Sequence, residues 1–271
     1  MLQDRSSASG LQEVGKWPAG APVHRSTMNS APFAFSVSVV VPAMNEAENL
    51  PHVFATLPSW IDEVILVDGN SVDDTVAVAR SLRPGLRVVR QTGKGKGNAL
   101  TEGFAAATGD IIVMIDADGS TDGREIHSFV TALVEGADFA KGSRCAPGGG
   151  SDDISPIRSM GNTALTKITN WLYGTSYTDL CYGYNAFWAR HLDALDLDCD
   201  GFEIETLMNI RAAQAGLVIR EVPSHERSRI HGASNLHAVR DGLRVLRTIL
   251  RERDGRVAAP ARLRQEHATA A

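Results

Sequence analysis

The stretch DIIVMIDADGS, residues 110–120, decides how the chain folds. Five apolar residues, Ile111 to Ile115, run directly into Asp116 and Asp118, one residue apart, and then a glycine. A short apolar run closed by a turn reads as a strand buried on both faces. Its polar end lies where open α/β sheets bind ligands, beyond the carboxyl ends of the strands. The same punctuation occurs twice upstream. In VSVVVPAMNEAENL (37–50), Val37, Val39, Val40 and Val41 lead into Pro42, which ends the run because it cannot donate to a ladder. EVILVDGNS (63–71) closes on Asp68.

Helical patterns separate these strands. One runs from Asn45 to about Leu57, one starts from a cap at Ser71 or Asp73, and one covers KGNALTEGFAAAT (96–108), after a third strand at LRVVRQ (86–91). Strand and helix alternate, which predicts one α/β domain built on a parallel sheet with helices on both faces. Residues 1–34 are rich in Ser, Ala, Gly and Pro without hydrophobic period and are expected to form a disordered leader. Residues 256–271 are expected to form a flexible tail, leaving 35–255 as the folded domain.

Composition removes several classes. The 271 residues are 43% hydrophobic and 22% charged, with a net charge of −5. Nothing in that balance gives the basic footprint a nucleic-acid partner requires. Three widely spaced cysteines, Cys145, Cys181 and Cys199, match neither a zinc site nor a disulfide framework, which points to a reducing compartment. No run reaches the roughly 18 apolar residues of a membrane span. The expectation is a cytoplasmic protein, possible contact with a membrane surface left open.

Three phosphate-binding patterns can be tested against the letters. The first strand is followed by PAMNEA, not by G-x-G-x-x-G. TGKGKGNA (92–99) has Asn98 where a P-loop has Ser or Thr. The Gly-rich first loop of a sugar nucleotidyltransferase is also missing. What remains is a site of acidic residues at strand ends. Asp116 and Asp118 alone would repel a diphosphate, but Mg²⁺ or Mn²⁺ between them makes the carboxylates its binding site. Gly119 is expected to let the backbone approach the ligand. An Asp-x-Asp-Gly run is also a common surface turn, so the motif depends on its company.

That company is VSVVVPAMNEAENL, VILVDGNSVDDT, GKGNALTEGFAAATGDIIVMIDAD, FAKGSR, GFEIE, AGLVIREVP and SRIHGASNL, in this order. Over roughly residues 36–236 the chain resembles the inverting GT-A glycosyltransferases of family 2, and within them the dolichyl- or polyprenyl-phosphate sugar synthases. The resemblance implies a Rossmann-like GT-A domain with a mostly parallel sheet flanked by helices, a nucleotide half at about 35–120 and an acceptor half at about 121–255. It implies metal-dependent transfer from a UDP- or GDP-hexose to a polyprenyl phosphate, or alternatively to a hydroxyl of a saccharide or small metabolite. Pro42, Asn45 and Glu46 would line the nucleoside pocket, with Asp68 on base or ribose. Lys96, Gly97 and Ala117 would lie near the donor, and Asp116 would face ribose or metal while Asp118 ligates the metal. The chain departs from the family pattern at DGNS, where Gly69 replaces an aspartate. In DLCYGYNAF, Asp179 and Gly183 match but Asn185 replaces an arginine. In SRIHGASNL, Arg229, Gly232 and Ser234 match but Asn235 replaces a lysine.

In such a transfer Arg144 and Arg229 would stabilise the charge growing on the leaving diphosphate. A lipid phosphate is already largely ionised and needs cations, for which Arg144, Arg158 and Lys167 are candidates, with Ser234 nearby. A hydroxyl acceptor needs a carboxylate base, and Asp179, Glu203 and Glu205 are available. Glu203 and Glu205 share a face only if their segment is extended. Val239, Leu243, Leu246 and Leu250 make a helical apolar stripe, expected to pack on the core, with contact between this arginine-rich helix and anionic lipid at the inner membrane face as the alternative. The loop 145–155 is expected to act as a flexible lid. A non-catalytic nucleotide-sugar binding protein would be expected to show a damaged aspartate pair, and here it is intact.

Overall fold

A computed structural model describes residues 32–234 and 236–255 of the chain. The expected tail lies outside the described residues, as does the expected leader except for residues 32–34. Phe33, inside that expected leader, is packed: its ring meets Trp60 edge-on at 5.4 Å and lies 5.2 Å from His127.

The elements follow as β1 (Val37–Ala43), α1 (Leu50–Thr56), β2 (Glu63–Asp68), α2 (Thr75–Leu82), β3 (Arg87–Arg90), α3 (Gly95–Ala106), β4 (Ile111–Met114) and α4 (Ile126–Val134). Then come β5 (Phe139–Ser143), β6 (Gly150–Ser151), α5 (Pro156–Tyr173), β7 (Asn185–Trp188), α6 (Leu192–Leu195), α7 (Ile204–Gln214), β8 (Ile219–Pro223), β9 (His225–Glu226) and α8 (Ala238–Gly255). The main sheet runs β3-β2-β1-β4-β7-β5-β8. Its first four strands are mutually parallel, and β5 and β8 pair in parallel. β7 runs antiparallel between β4 and β5, with Asn185 opposite both Met114 and Lys141. The sheet is therefore mostly parallel, as expected, but its second half joins the first through a reversed strand.

Alternation along the strands fills both faces. Val39, Val41, Leu66, Val113 and Ala186 meet α1 and α4 on one side. Val40, Ile65, Val67, Ile112 and Phe187 meet α3 and α7 on the other. Such two-sided burial is why these strands read as continuous apolar runs. A third cluster joins α5, α7 and α8 through Tyr177, Leu180, Ile210, Val245 and Ile249.

Two helix starts differ from the sequence expectation. α1 begins at Leu50 rather than at Asn45, because Asn45 takes a left-handed conformation (φ 59°) and opens a turn that closes on Glu46 O. α2 begins at Thr75, whose N–H donates to the Asp73 carboxylate at 3.0 Å. The stripe Val239-Leu243-Leu246-Leu250 does not pack on the core. Leu243 and Leu250 are exposed and Val239 is 74% exposed, while Asp241, Val245, Thr248 and Ile249 are the buried positions of α8. The loop 145–155 is also less free than expected. β6 within it pairs with β9, and His225 Nε2 lies 3.0 Å from the Asp152 carboxylate.

Phe187 carries the load of the reversed strand. It packs edge-on to Phe104 at 5.2 Å and stacks on Phe139 at 5.9 Å. Phe187→Ala is expected to lower stability by about 3–5 kcal/mol, read as a shifted midpoint in urea denaturation without a change of slope.

Candidate active site

A cavity of about 740 Å³ opens at the carboxyl edge of β1, β2 and β4 and continues between the N-terminal halves of α5 and α8. Pro42, Glu46, Lys96, Asp116, Ala117 and Asp118 line its sheet end. The other end carries Ile154, Ile157, Leu165, Val239 and Val245 in its wall, beside the carboxylates of Asp153 and Asp241. Arg144, Arg158, Asn162 and Tyr182 lie on the wall as well.

Each charged group at the sheet end is tied to another. The Lys96 ammonium, in the first turn of α3, donates to Asp116 Oδ1 at 2.6 Å and to Glu205 Oε1 at 2.8 Å. Burial alone would lower its pKa, but the two carboxylates overcome this and raise it, so it stays charged. Burial pushes Asp116 up, Lys96 opposes and Asp118 adds to the push, leaving it at about 6 and still ionised at neutral pH. Gly183 makes room for this contact, since a Cβ there would sit 2.7 Å from Lys96 Nζ.

Asp118 is fixed on two sides. Its Oδ1 accepts from Ser120 N–H at 3.0 Å, and its Oδ2 lies 3.4 Å from Arg229 Nη2. Arg229 also donates to Glu46 Oε1 at 2.9 Å, and the Asn49 amide donates to the second Glu46 oxygen. Asn49 further clasps the backbone of His231, binding its N–H at 2.9 Å and its carbonyl at 3.1 Å. The segment that carries Arg229 is thus held to the first helix of the sheet half. Gly119 has φ 78° and Ile230 packs over it, so the glycine is required by the turn and by this contact.

A second network lies beneath the acceptor end. Arg144 Nε and Nη2 donate to the two oxygens of Asp179 at 2.7 and 3.0 Å, and Nη1 donates to Glu226 at 3.0 Å. The guanidinium lies 4.8 Å from the centre of the Tyr182 ring, and the Asn162 amide donates to Asp179 at 2.9 Å. Asp179 is fully buried and is not on the cavity wall. Burial raises its pKa, but the Arg144 hydrogen bonds and the Lys141 charge outweigh it and hold it at about 2. So low a pKa makes a poor proton acceptor at neutral pH. The base role read from the sequence does not fit this geometry.

Several other expected residues stand apart from the cavity. Asn45 Oδ1 accepts from Val72 N–H at 2.8 Å, and Asp68 accepts from Ser71 N–H at 3.1 Å, so both shape the loop after β2. Gly97 donates its N–H to Asp200 O at 2.8 Å. Lys167 lies nine residues beyond Arg158, about 180° around the helix, and is exposed on the far side. Asn185 is fully buried in the sheet and is not on the cavity wall. Glu203 precedes α7 while Glu205 lies in its first turn, and only Glu205 faces the cavity. Ser234 and Arg158 are on the wall, and Arg158 is paired with Asp153 at 2.9 Å.

The sequence reading missed Gln91, Tyr182 and Glu226. Gln91 follows β3 at the same sheet edge, lines the cavity and holds the start of α3 by donating to Gly95 O at 2.8 Å. The strand-end rule used for the other strands would have found it. No local pattern marks Glu226, whose partner Arg144 is 82 residues away.

The carboxylates Asp116 and Asp118 suit a hard divalent cation. Glu46, Asp116, Asp118 and Glu205 set four negative charges against the two positive charges of Lys96 and Arg229. Among the described residues no group of three or more metal-ligating side chains converges. A cation held by only one or two carboxylates, as Mg²⁺ commonly is, takes its remaining ligands from phosphate oxygens and water.

The family described as glycosyl transferase family 2 matches residues 38–193. The glycosyltransferase AglJ of Haloferax volcanii is 31% identical over 76% of this chain and 68% of its own length. The undecaprenyl-phosphate mannosyltransferase of Micrococcus luteus is 34% identical over 69% of this chain and 82% of its own. Among solved structures, glucosyl-3-phosphoglycerate synthase from Mycobacterium tuberculosis, in complex with Mn²⁺, uridine diphosphate and glucosyl-3-phosphoglycerate, superposes with a TM-score of 0.64. It is 25% identical, over 82% of this chain and 81% of that one. The chain spans from about half to about four-fifths of the length of the curated relatives it matches.

Asp179→Asn leaves the buried Arg144 guanidinium without its bidentate partner. We expect a loss of about 3–5 kcal/mol of stability, measured by chemical denaturation at neutral pH. The difference between wild type and variant should shrink as pH falls from about 4 toward about 2, because a carboxylate with a depressed pKa loses its contribution as it protonates.

Proposed function

We propose a reaction for a chain that belongs to glycosyl transferase family 2: metal-dependent transfer, with inversion, of a hexose from a UDP- or GDP-sugar to a polyprenyl phosphate. One observation carries this reading. A single cavity joins the Asp116–Asp118 pair to a channel between α5 and α8 that has five aliphatic side chains in its wall. A soluble sugar acceptor has no use for Ile154, Ile157, Leu165, Val239 and Val245, whereas a prenyl chain is matched by them. The Micrococcus relative, by its name, acts on undecaprenyl phosphate, which agrees with that channel.

Asp118, with Asp116, would hold Mg²⁺ or Mn²⁺. Bound there, the cation would act as a Lewis acid for the leaving diphosphate. The chain's own groups supply the rest. Pro42, Ala117 and Gln91 form the floor for the nucleoside. Lys96 holds the Asp116 carboxylate in place at 2.6 Å. Arg229, between Glu46 and Asp118, places a fixed positive charge beside the departing phosphates, where preorganised charge counts most. Arg158, on the cavity wall, offers a cationic contact to an acceptor phosphate, which needs no base because it is already ionised, while Arg144 orders the wall beneath through Asp179 and Glu226. Attack from the α5–α8 side, opposite the leaving group, inverts the anomeric centre.

A second reading has its own support. The mycobacterial neighbour is described with a glucosylated phosphoglycerate, so this fold also serves small hydroxyl acceptors. In that case Glu205 would be the base, since it is the buried carboxylate of α7 that reaches the cavity.

The test is release of nucleoside diphosphate from a panel of UDP- and GDP-hexoses with Mn²⁺ or Mg²⁺, with and without a short prenyl phosphate. Lipid-dependent turnover that falls on the order of 100-fold or more in Asp118→Ala is expected. Turnover that ignores the lipid but rises with phosphoglycerate would favour the second reading. Turnover unchanged by Asp118→Ala would overturn both.

A further inference from the structure

The outer faces of α5 and α8 form one apolar ridge that the fold leaves uncovered among the described residues. On α8 the exposed positions Val239, Leu243 and Leu250 follow one line along the helix, nearly opposite the buried Asp241, Val245 and Thr248. On α5, Ile157, Met160 and Trp171 make a second line, opposite the buried Asn162, Thr166 and Thr169. Trp171 is 80% exposed and Met160 74%. The helices are neighbours: the Tyr173 hydroxyl donates to Ile249 O, and Leu165, Ile168 and Leu172 pack with Val245 and Ile249. The two lines therefore lie side by side. An uncovered apolar area of this extent marks an interaction surface.

Cations border it. Arg240, Arg244, Arg247 and Arg251 each follow one residue after a stripe position, a row about 100° around α8. Lys167 stands on the other side, at the outer edge of α5. Arg240 and Arg244 share Asp241, and Arg251 is held by Asp198 at 3.2 Å. Arg247 and Lys167 have no carboxylate partner among the described residues. An apolar ridge topped by a tryptophan and flanked by cations matches the headgroup region of an anionic bilayer. Two ridge residues, Ile157 and Val239, also belong to the cavity wall, so the ridge runs without a break into the channel.

We infer that the α5–α8 ridge is a docking surface for an anionic lipid bilayer, which seats the cavity mouth at the membrane so that a lipid phosphate enters from its plane. This deepens the polyprenyl-phosphate reading and rests on it for its purpose, though not for its test. Among the described residues no helix is long and apolar enough to cross a membrane, so the docking is peripheral.

The experiment is co-sedimentation of the full chain with phosphatidylcholine vesicles, with and without phosphatidylglycerol. The variants are Trp171→Glu/Leu243→Glu and Lys167→Glu/Arg247→Glu, none of which lines the cavity. Wild type is expected to bind the anionic vesicles, more weakly as salt rises. Each double variant should bind at least about tenfold more weakly, with an unchanged circular dichroism spectrum. Its kcat/KM on a water-soluble short prenyl phosphate should be unchanged, while turnover of a vesicle-borne long-chain acceptor falls with binding. Wild type that ignores anionic vesicles, or variants that bind as well as wild type, would overturn the docking surface. Wild type that ignores vesicles but dimerises through the ridge in solution would assign it to a second copy instead. Docking with no transfer to either acceptor would leave the surface standing and remove the acceptor reading. Transfer to the short acceptor without docking would remove the surface alone.

Discussion

Three distant segments converge on the Lys96 ammonium: α3, which carries it, the end of β4 with Asp116, and the first turn of α7 with Glu205. The pairing is largely removed from water, so loss of any member would leave an uncompensated charge. It sets where α3 begins and how closely α7 approaches the sheet. It also accounts for Gly183, because any side chain there would displace the ammonium. With Asp116 and Glu205 held in this way, Asp118 is left facing the cavity beside Arg229. The chemistry proposed for the sheet edge rests on that division of labour among three carboxylates.

The Arg144 network does for the acceptor half what Lys96 does for the donor half. Its guanidinium links β5 to the segment before β7 through Asp179, to β9 through Glu226, and to the Tyr182 ring. Asn162 adds α5 to the same group. Asp179 thereby becomes a positioning residue, its charge consumed in orienting an arginine that does reach the cavity. The two networks meet at residues 179–185, which lead into the antiparallel β7. That reversed strand is the hinge between the halves of the sheet, and Phe187 anchors it in the core.

α8 shows how an apolar pattern can be read correctly and placed wrongly. Its sequence contains two apolar lines, Val239-Leu243-Leu246-Leu250 and the sparser Val245-Ile249. The more regular line invites the core assignment. The fold buries the sparser one, because Val245 and Ile249 meet Leu165, Ile168 and Leu172 of α5, while Asp241 and Thr248 fill the rest of that face. Hydrophobic periodicity reports that a helix has an apolar face, but not which surface will cover it.

Local periodicity and strand-end chemistry were enough to determine the alternation of β1 to β4 with α1 to α3, the burial of β1, β2 and β4 on both faces, and the position of Asp116 and Asp118 at the sheet's carboxyl edge. These follow from neighbours in sequence, whose side-chain spacing sets which face each residue takes. The tertiary structure alone decided the antiparallel insertion of β7, the partners of Lys96 and Arg144, the removal of Asn45, Asp68, Gly97 and Lys167 from the cavity, and the outward turn of the α8 stripe. Each depends on a contact across tens of residues, such as Arg144 with Glu226 or Lys96 with Glu205. Such charge pairs form only where the backbone has already brought the groups together, and no spacing along the chain announces them.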